Sequence, residues 1–353
     1  HCLGLSRNDW ELLVQVWGDD WDSKFAALAR NPLCLTIERL PLHARYFHEA
    51  AGQWWDKVLR HLCRGFSLDR PIYIVSSNTH GLANLVSGYA TAHQEELLDF
   101  LRSRNPEDLW QTWLDSRKDP DQNPNDLLYY ALRRYLEHHP HRIADKARWE
   151  ESSGLSRYAP VQYPHLEAQK IELNRLNLSR LDSRLKWSQA LVHSRAMIIN
   201  LDYPLGLAAG HLLSQACRRF AGLRGVFILG KSAAVIGRVG DIMIPCSIHD
   251  SHTGNRYHFR NSLSIRRLTP FLNRIAAFDD QKSITVRGTF LHGRDTVSEL
   301  LRDDFTGIEM EAGPYLDALY RHFTGQVPPQ GTVLDLELPP HFSLGLLHYT
   351  SDT

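Results

Sequence analysis

The sequence predicts an α/β protein, a mixed sheet flanked by helices, with an added helical N-terminal layer and a helical insertion. Three observations lead there. Short β-branched or apolar runs recur at 71–76, 197–200, 225–229 and 343–349, the length of buried strands. Helix-length apolar segments at 82–101 and 207–219 alternate with them, and such units build parallel sheets with right-handed crossovers. Polar or small clusters close each run, at the strand ends where open α/β sheets bind ligands.

Residues 1–70 place apolar and charged residues at helical spacing, with Leu12-Leu13 before Trp17 and the pair Trp54-Trp55, and read as the N-terminal layer. Residues 71–102 hold a first strand, a polar turn Ser77-Asn78-Thr79-His80-Gly81, and a helix. Residues 103–190 break this rhythm with Asp, Asn, Arg, Pro and aromatics, and with the turn region Asp119-Pro120-Asp121-Gln122-Asn123-Pro124. Helices are expected there at 125–139 and 165–190, forming an insertion that serves as a lid or an oligomer contact. From 191 to 353 the α/β pattern resumes. Gly230-Lys231-Ser232-Ala233-Ala234 reads as a small-residue loop that lets a ligand approach the backbone. Asp250 to Asn255, followed by Tyr257, Phe259 and Asn261, reads as a β-hairpin, compatible with base contacts from the aromatic and amide groups.

Composition excludes some functions. Lys plus Arg and Asp plus Glu are equal at 40 each, so no global basic field invites a nucleic acid polymer, and the cluster from Arg256 to Arg267 reads as solvated surface. The 5 cysteines, Cys2, Cys34, Cys63, Cys217 and Cys246, are scattered and odd in number, which predicts reduced thiols in a cytoplasmic protein. No apolar run nears the roughly eighteen residues of a membrane span, and no signal peptide is visible. The chain opens on His1 and closes on Thr353 directly after a strand-like run, as a chain trimmed at both ends would. Among 19 histidines, His138-His139-Pro140-His141 diverge in direction and have no ligand-spaced partner, so no metal is expected.

Gly307-Ile308-Glu309-Met310-Glu311-Ala312-Gly313 carries the most chemistry. It reads as the end of a buried strand running into a helix near Pro314. In an extended segment Glu309 and Glu311 point to one side, and an ionised carboxylate is a bidentate acceptor for two vicinal hydroxyls. A solvated or Arg-paired acid pair is the competing reading.

From about 196 to 353 the chain resembles the nucleoside phosphorylase and nucleosidase superfamily. The resemblance rests on four motifs in order: Gly230-Lys231-Ser232-Ala233-Ala234, Val239-Gly240-Asp241, Met310-Glu311 and Ser351-Asp352. It implies a phosphorylase-like core in which Glu311, with Glu309 beside it, binds the ribose hydroxyls and Met310 packs under the sugar. Asp352 is then the acid at the leaving base, and Gly230 and Ser232 line the site with Phe259 and Asn261. The implied substrate is a nucleoside or nucleotide, purine by preference. The implied chemistry uses no cofactor beyond inorganic phosphate as a possible co-substrate, and the family's habit is the homo-oligomer. Two departures stand out. The first strand ends without the arginine of a phosphate loop and without the carboxylate that activates water in hydrolytic relatives. His80 is left as a base or merely a helix cap, and Lys231, Arg195, Arg238 and Arg287 as candidate phosphate ligands. A catalytically inactive nucleoside-binding module for sensing or assembly is the alternative.

Overall fold

A computed structural model describes residues 7–30, 44–65, 67–119, 122–160, 165–185, 191, 193–272, 275–288 and 294–352. Cys2 and Cys34 lie outside them, as do Pro120 and Asp121 of the expected turn. The N-terminal segment forms α1 (Arg7–Trp17), α2 (Trp21–Arg30) and α3 (Ala44–Leu62). Then β1 (Ile72–Ser76) leads into α4 (Thr79–Ser87), α5 (Tyr89–Ala92) and α6 (Gln94–Arg104). The cap of α4 is Asn78, whose side chain accepts from Gly81 N at 2.6 Å, so His80 has no capping role.

The insertion continues as α7 (Leu109–Ser116), α8 (Pro124–His138) and α9 (Arg142–Ser152). It has its own core, in which Leu97, Phe100, Trp113, Leu128 and Tyr135 meet. It is not wholly helical. Within the 165–190 range expected to be helical, the chain instead makes β3 (Ala168–Glu172), which pairs antiparallel with β2 (Leu155–Tyr158) and continues onto the main sheet, while 186–190 lie outside the described residues. All five residues of β3 are buried, including Gln169, Lys170 and Glu172. Their polar ends are paired: Gln169 Nε2 donates to Thr79 O at 2.8 Å and Lys170 Nζ meets Glu172 at 2.8 Å. Polar residues buried with partners mimic a solvated helix face in a sequence pattern, which explains the misreading.

The remaining elements are β4 (Met197–Leu201), α10 (Leu207–Arg219), β5 (Leu223–Ala234), β6 (Ile242–Asp250), β7 (Asn255–Phe259), α11 (Ile265–Leu268), β8 (Ala277–Thr285), α12 (Arg294–Arg302), β9 (Gly307–Glu309), α13 (Ala312–Thr324), β10 (Val333–Leu336) and β11 (Ser343–Asp352). Among the described residues the strands form one 11-stranded mixed sheet in the order β10-β7-β6-β8-β9-β5-β1-β4-β3-β2, with β11 pairing both β5 and β6. β1 lies parallel between β4 and β5, as a βαβ core requires. β6 and β7 are the expected hairpin.

Two ladders close part of this sheet on itself. β11 runs parallel to β5 from Ser343↔Gly225 to Asp352↔Ala233 and pairs with β6 at His348↔Met243. β6 pairs β8, β8 pairs β9, and β9 returns to β5 at Ile308↔Ala233. The circuit β5-β11-β6-β8-β9 is therefore a small closed barrel at one end of an open sheet. The segment 230–234 is not a loop but the second half of β5.

α3, α10 and α13 cover one face of the sheet, and the main core lies between. Trp54 and Trp55 are 2% and 0% exposed, and their indoles donate to Leu166 O at 3.1 Å and Leu212 O at 2.8 Å. Each ring thus fills the core while its one polar atom finds a carbonyl. Trp55→Ala should cost about 3–5 kcal/mol in urea unfolding, from lost burial and the cavity left behind. A loss under about 1 kcal/mol would mean that α3 is not anchored through this ring.

Candidate functional site

The C-terminal ends of β1, β5, β9 and β11 meet the start of α13, and Ser76, Ser232, Glu309, Glu311 and His348 are buried polar residues on these segments. β9 ends at Glu309, and Glu311 has left the strand, with φ −121° and ψ −32°. The two carboxylates therefore do not share a side by strand alternation. They meet because the chain turns. Glu309 Oε2 accepts from Glu311 N at 2.7 Å and from Ala312 N at 2.8 Å, while Thr285 Oγ1 donates to its other oxygen. Thr285 in turn accepts from Gly313 N at 2.8 Å. Glu309 is thus the cap of α13, satisfying the first amides of a helix whose own N-cap side chain does not.

Glu311 is buried, at 5% exposure, yet less occupied: Oε2 accepts from Met310 N at 3.1 Å and the carboxyl lies within hydrogen-bonding reach of Glu309. Burial first, and then the charge of Glu311, raise the Glu309 carboxyl above its ordinary range, and burial also raises Glu311. Like charges this close cannot both ionise cheaply, so the pair holds a proton between them.

Gly230 faces this pair. A Cβ there would lie 4.0 Å from Glu311 Oε2, 3.6 Å from His348 Nε2 and 3.1 Å from His348 Cδ2. His348 sits opposite Gly230 on β11, fully buried, and neither ring nitrogen has a partner among the described residues. Burial pushes its pKa down to about 4, so the imidazole is neutral. On the same face Ser76 closes β1 in register with Ile228. Tyr315, from α13, turns its hydroxyl toward Ser76, though neither oxygen makes a well-formed hydrogen bond. Ser232, 3% exposed, adds another unpartnered hydroxyl, near Gly307 and Ser283.

Other expected site residues lie elsewhere. Asn261 donates to Pro245 O and Leu346 O, both at 2.8 Å, and accepts from Leu263 N and Leu346 N, so it staples β6 to β11. Phe259 packs in the main core. Lys231 is exposed, on the face of β5 opposite Gly230. Arg195 is exposed just before β4, at the far end of the sheet, and Arg287 is exposed with Nε on Ser251 O at 3.0 Å. Arg238 is exposed in the turn before β6. Met310 is half-buried, and its carbonyl accepts from Gly206 N at 3.0 Å, tying the loop after β4 to the site. Asp352 ends β11 with its backbone beside Ala233; its side chain lies outside the described residues.

His80 faces a separate cleft of about 430 Å³ between the insertion and the sheet, lined also by Leu132, Lys146, Glu150, Arg157 and Glu167. Arg157 reaches Glu150 and Glu167 at 2.6 Å each, and Lys146 also pairs with Glu150. Burial, then Arg157 and Lys146, lower the His80 pKa.

The sequence reading passed over His348, Tyr315, Ser76 and Thr285. For His348 a signal existed: one polar residue directly after the apolar run 344–347 of a core strand. Glu309→Ala would leave two buried amides and the Thr285 hydroxyl proton without acceptors, and should cost about 2–4 kcal/mol in denaturant unfolding. A near-neutral result would remove Glu309 from the capping role.

No curated protein matches the chain in sequence. Among solved structures it is similar to the AMP nucleosidase of Bacteroides thetaiotaomicron, at 11% identity and TM-score 0.40 over 86% of this chain and 90% of that one. It is also similar to the 5′-methylthioadenosine/S-adenosylhomocysteine nucleosidase of Neisseria meningitidis, at 11% identity and TM-score 0.40 over 80% and 86%. The futalosine hydrolase of Helicobacter pylori aligns at 9% identity and TM-score 0.37 over 80% and 90%. In sequence, the family model described as a family of unknown function (DUF6909) matches residues 1–353 from end to end, and the chain belongs to that family.

Proposed function

We propose that this protein cleaves the N-glycosidic bond of a purine-type nucleoside or nucleotide, transferring the sugar to water or phosphate. The observation that carries the reading is the register at Ala233. One edge of β5 pairs there with Asp352, the other with Ile308, two residues before Met310-Glu311. The acid assigned to the base and the acid assigned to the sugar thus come from segments flanking one small-residue strand.

Each group has work that fits its chemistry. Cleavage of the bond leaves cationic character on the sugar ring and negative charge on the base. Asp352 protonates or hydrogen-bonds the base, and an anionic Glu311 near the ring stabilises the cation. Vicinal ribose hydroxyls donate to Glu311, Met310 packs under the ring, and Glu309 serves by holding Glu311 and α13 in place.

Incubation with a panel of purine and pyrimidine nucleosides and nucleotides, with and without phosphate, should release free base, read by chromatography. Glu311→Gln should lower kcat/KM by about 100-fold or more. Full base release by Asp352→Asn would sink the assigned mechanism, and binding by calorimetry without turnover would favour a non-catalytic binding module.

A pH dependence follows from the raised Glu311. Sugar hydroxyls donate to its ionised form, so binding expels the proton that the buried pair holds. KM for a ribonucleoside should therefore fall as pH rises through the raised titration of the pair, while KM for the 2′,3′-dideoxy analogue stays flat. Parallel profiles would exclude Glu311 as the hydroxyl acceptor.

A further inference from the structure

The function proposed above leaves the cleft of the insertion unused, and one side chain there lacks the partners its burial calls for. Asn84, on α4, lines the cleft and is 8% exposed, yet its amide makes no hydrogen bond among the described residues. A buried amide without partners costs free energy, and native proteins leave few of them. His80 precedes Asn84 by four residues, so the two side chains share one face of α4. The His80 imidazole also lines the cleft and has no hydrogen-bond partner among the described residues. Burial, then Arg157 and Lys146, lower its pKa and keep it uncharged. Two neighbouring groups, each able to donate and to accept, thus face one space.

The rest of the cleft narrows what can fill it. Its volume of about 430 Å³ falls within the range of small-molecule sites, roughly 300–1,000 Å³. α8 supplies Tyr129, Leu132 and Leu136 and α9 supplies Ala147, an apolar and aromatic surface suited to the face of a flat ring. Tyr129 is fixed there, because its hydroxyl donates to Asp182 at 2.5 Å. The charges are already matched. Arg157 places Nε and Nη2 on Glu150 and Nη1 on Glu167, and Lys146 pairs with Glu150. The exposed Arg133 and Glu137 lie 3.6 Å apart. An ionic ligand would have to displace one partner of a buried pair and leave the other uncompensated, so the cleft suits an uncharged one.

We propose that this cleft is a second binding site, for an uncharged purine base held by Asn84 and His80. The Asn84 amide carries a donor and an acceptor side by side, and adenine offers the complement in its 6-amino hydrogen and N7. The ring lies against Leu132, Leu136 and Tyr129, and His80 meets a further polar atom of the base. This site does not rest on the N-glycosidic reading. Where that reading holds, the ligand is also the released product, and the cleft senses it.

In the test, adenine is added to the full chain and amide hydrogen exchange is followed by mass spectrometry. Exchange should slow across 79–87, 124–138 and 142–152, the helices that line the cleft. Asn84→Leu and, independently, Ala147→Trp, which fills the cleft from an exposed position, should each raise the adenine concentration for half-maximal protection about tenfold or more. Unsubstituted purine, which lacks the 6-amino group, should need a similar excess over adenine. Circular dichroism melts identify the folded variants, and either one alone decides. Protection confined to 230–234 and 307–313 would put adenine only at the site already described and overturn the second site. So would wild-type protection in a folded variant, equal binding of purine and adenine, or protection by inorganic phosphate but not by adenine. Failure to release base from any nucleoside removes the N-glycosidic reading and leaves the second site standing.

Discussion

The site depends on how β5 is shared. Its first half is an ordinary core strand between β1 and β11, but beyond Ile228 the edge left by β1 is taken by β9, while β11 continues along the other. Side chains that point into a barrel of five strands have little room, and Gly230, Ser232, Ala233 and Ala234 are small. Closure then brings together the end of β11 and the turn from β9 into α13, two segments far apart in sequence.

Within that closure two neighbouring carboxylates divide their labour. Both oxygens of Glu309 are engaged by backbone amides and Thr285, which binds the strand end to the helix start. Glu311 keeps capacity for an outside donor, and the cost of its burial is held in the same proton that Glu309 wants. A polar ligand can relieve that cost by donating hydrogen bonds, which is why an acid pair in a dry place is better suited to binding than to stability.

The insertion contributes a second polar structure. Lys146, Glu150, Arg157 and Glu167 neutralise one another beside the turn that follows β1, and Asn200 and Gln169 hold that turn from the sheet side. His80, on the turn, therefore looks into the insertion's cleft rather than toward Gly230, and the carboxylate missing from the first strand is not replaced from there.

The sequence by itself determined the α/β class, the core strands at 72–76, 197–201, 225–229 and 343–349, the acid pair with its methionine, and the hairpin at 250–259. These are local: apolar periodicity, turn chemistry and motif order report what neighbouring residues do. It could not show that 230–234 is a strand, because pairing on two edges is a property of β9 and β11. Nor could it show that 168–172 is one, because buried polar side chains that find partners within the strand and on the turn after β1 disguised it as a helix face. Which carboxylate is structural and which is free was decided by a turn that brings Glu309 back onto the amides of 311 and 312. The isolation of His348 was decided likewise, since a histidine is idle only when every surrounding element declines to bond it, and those elements come from both ends of the chain.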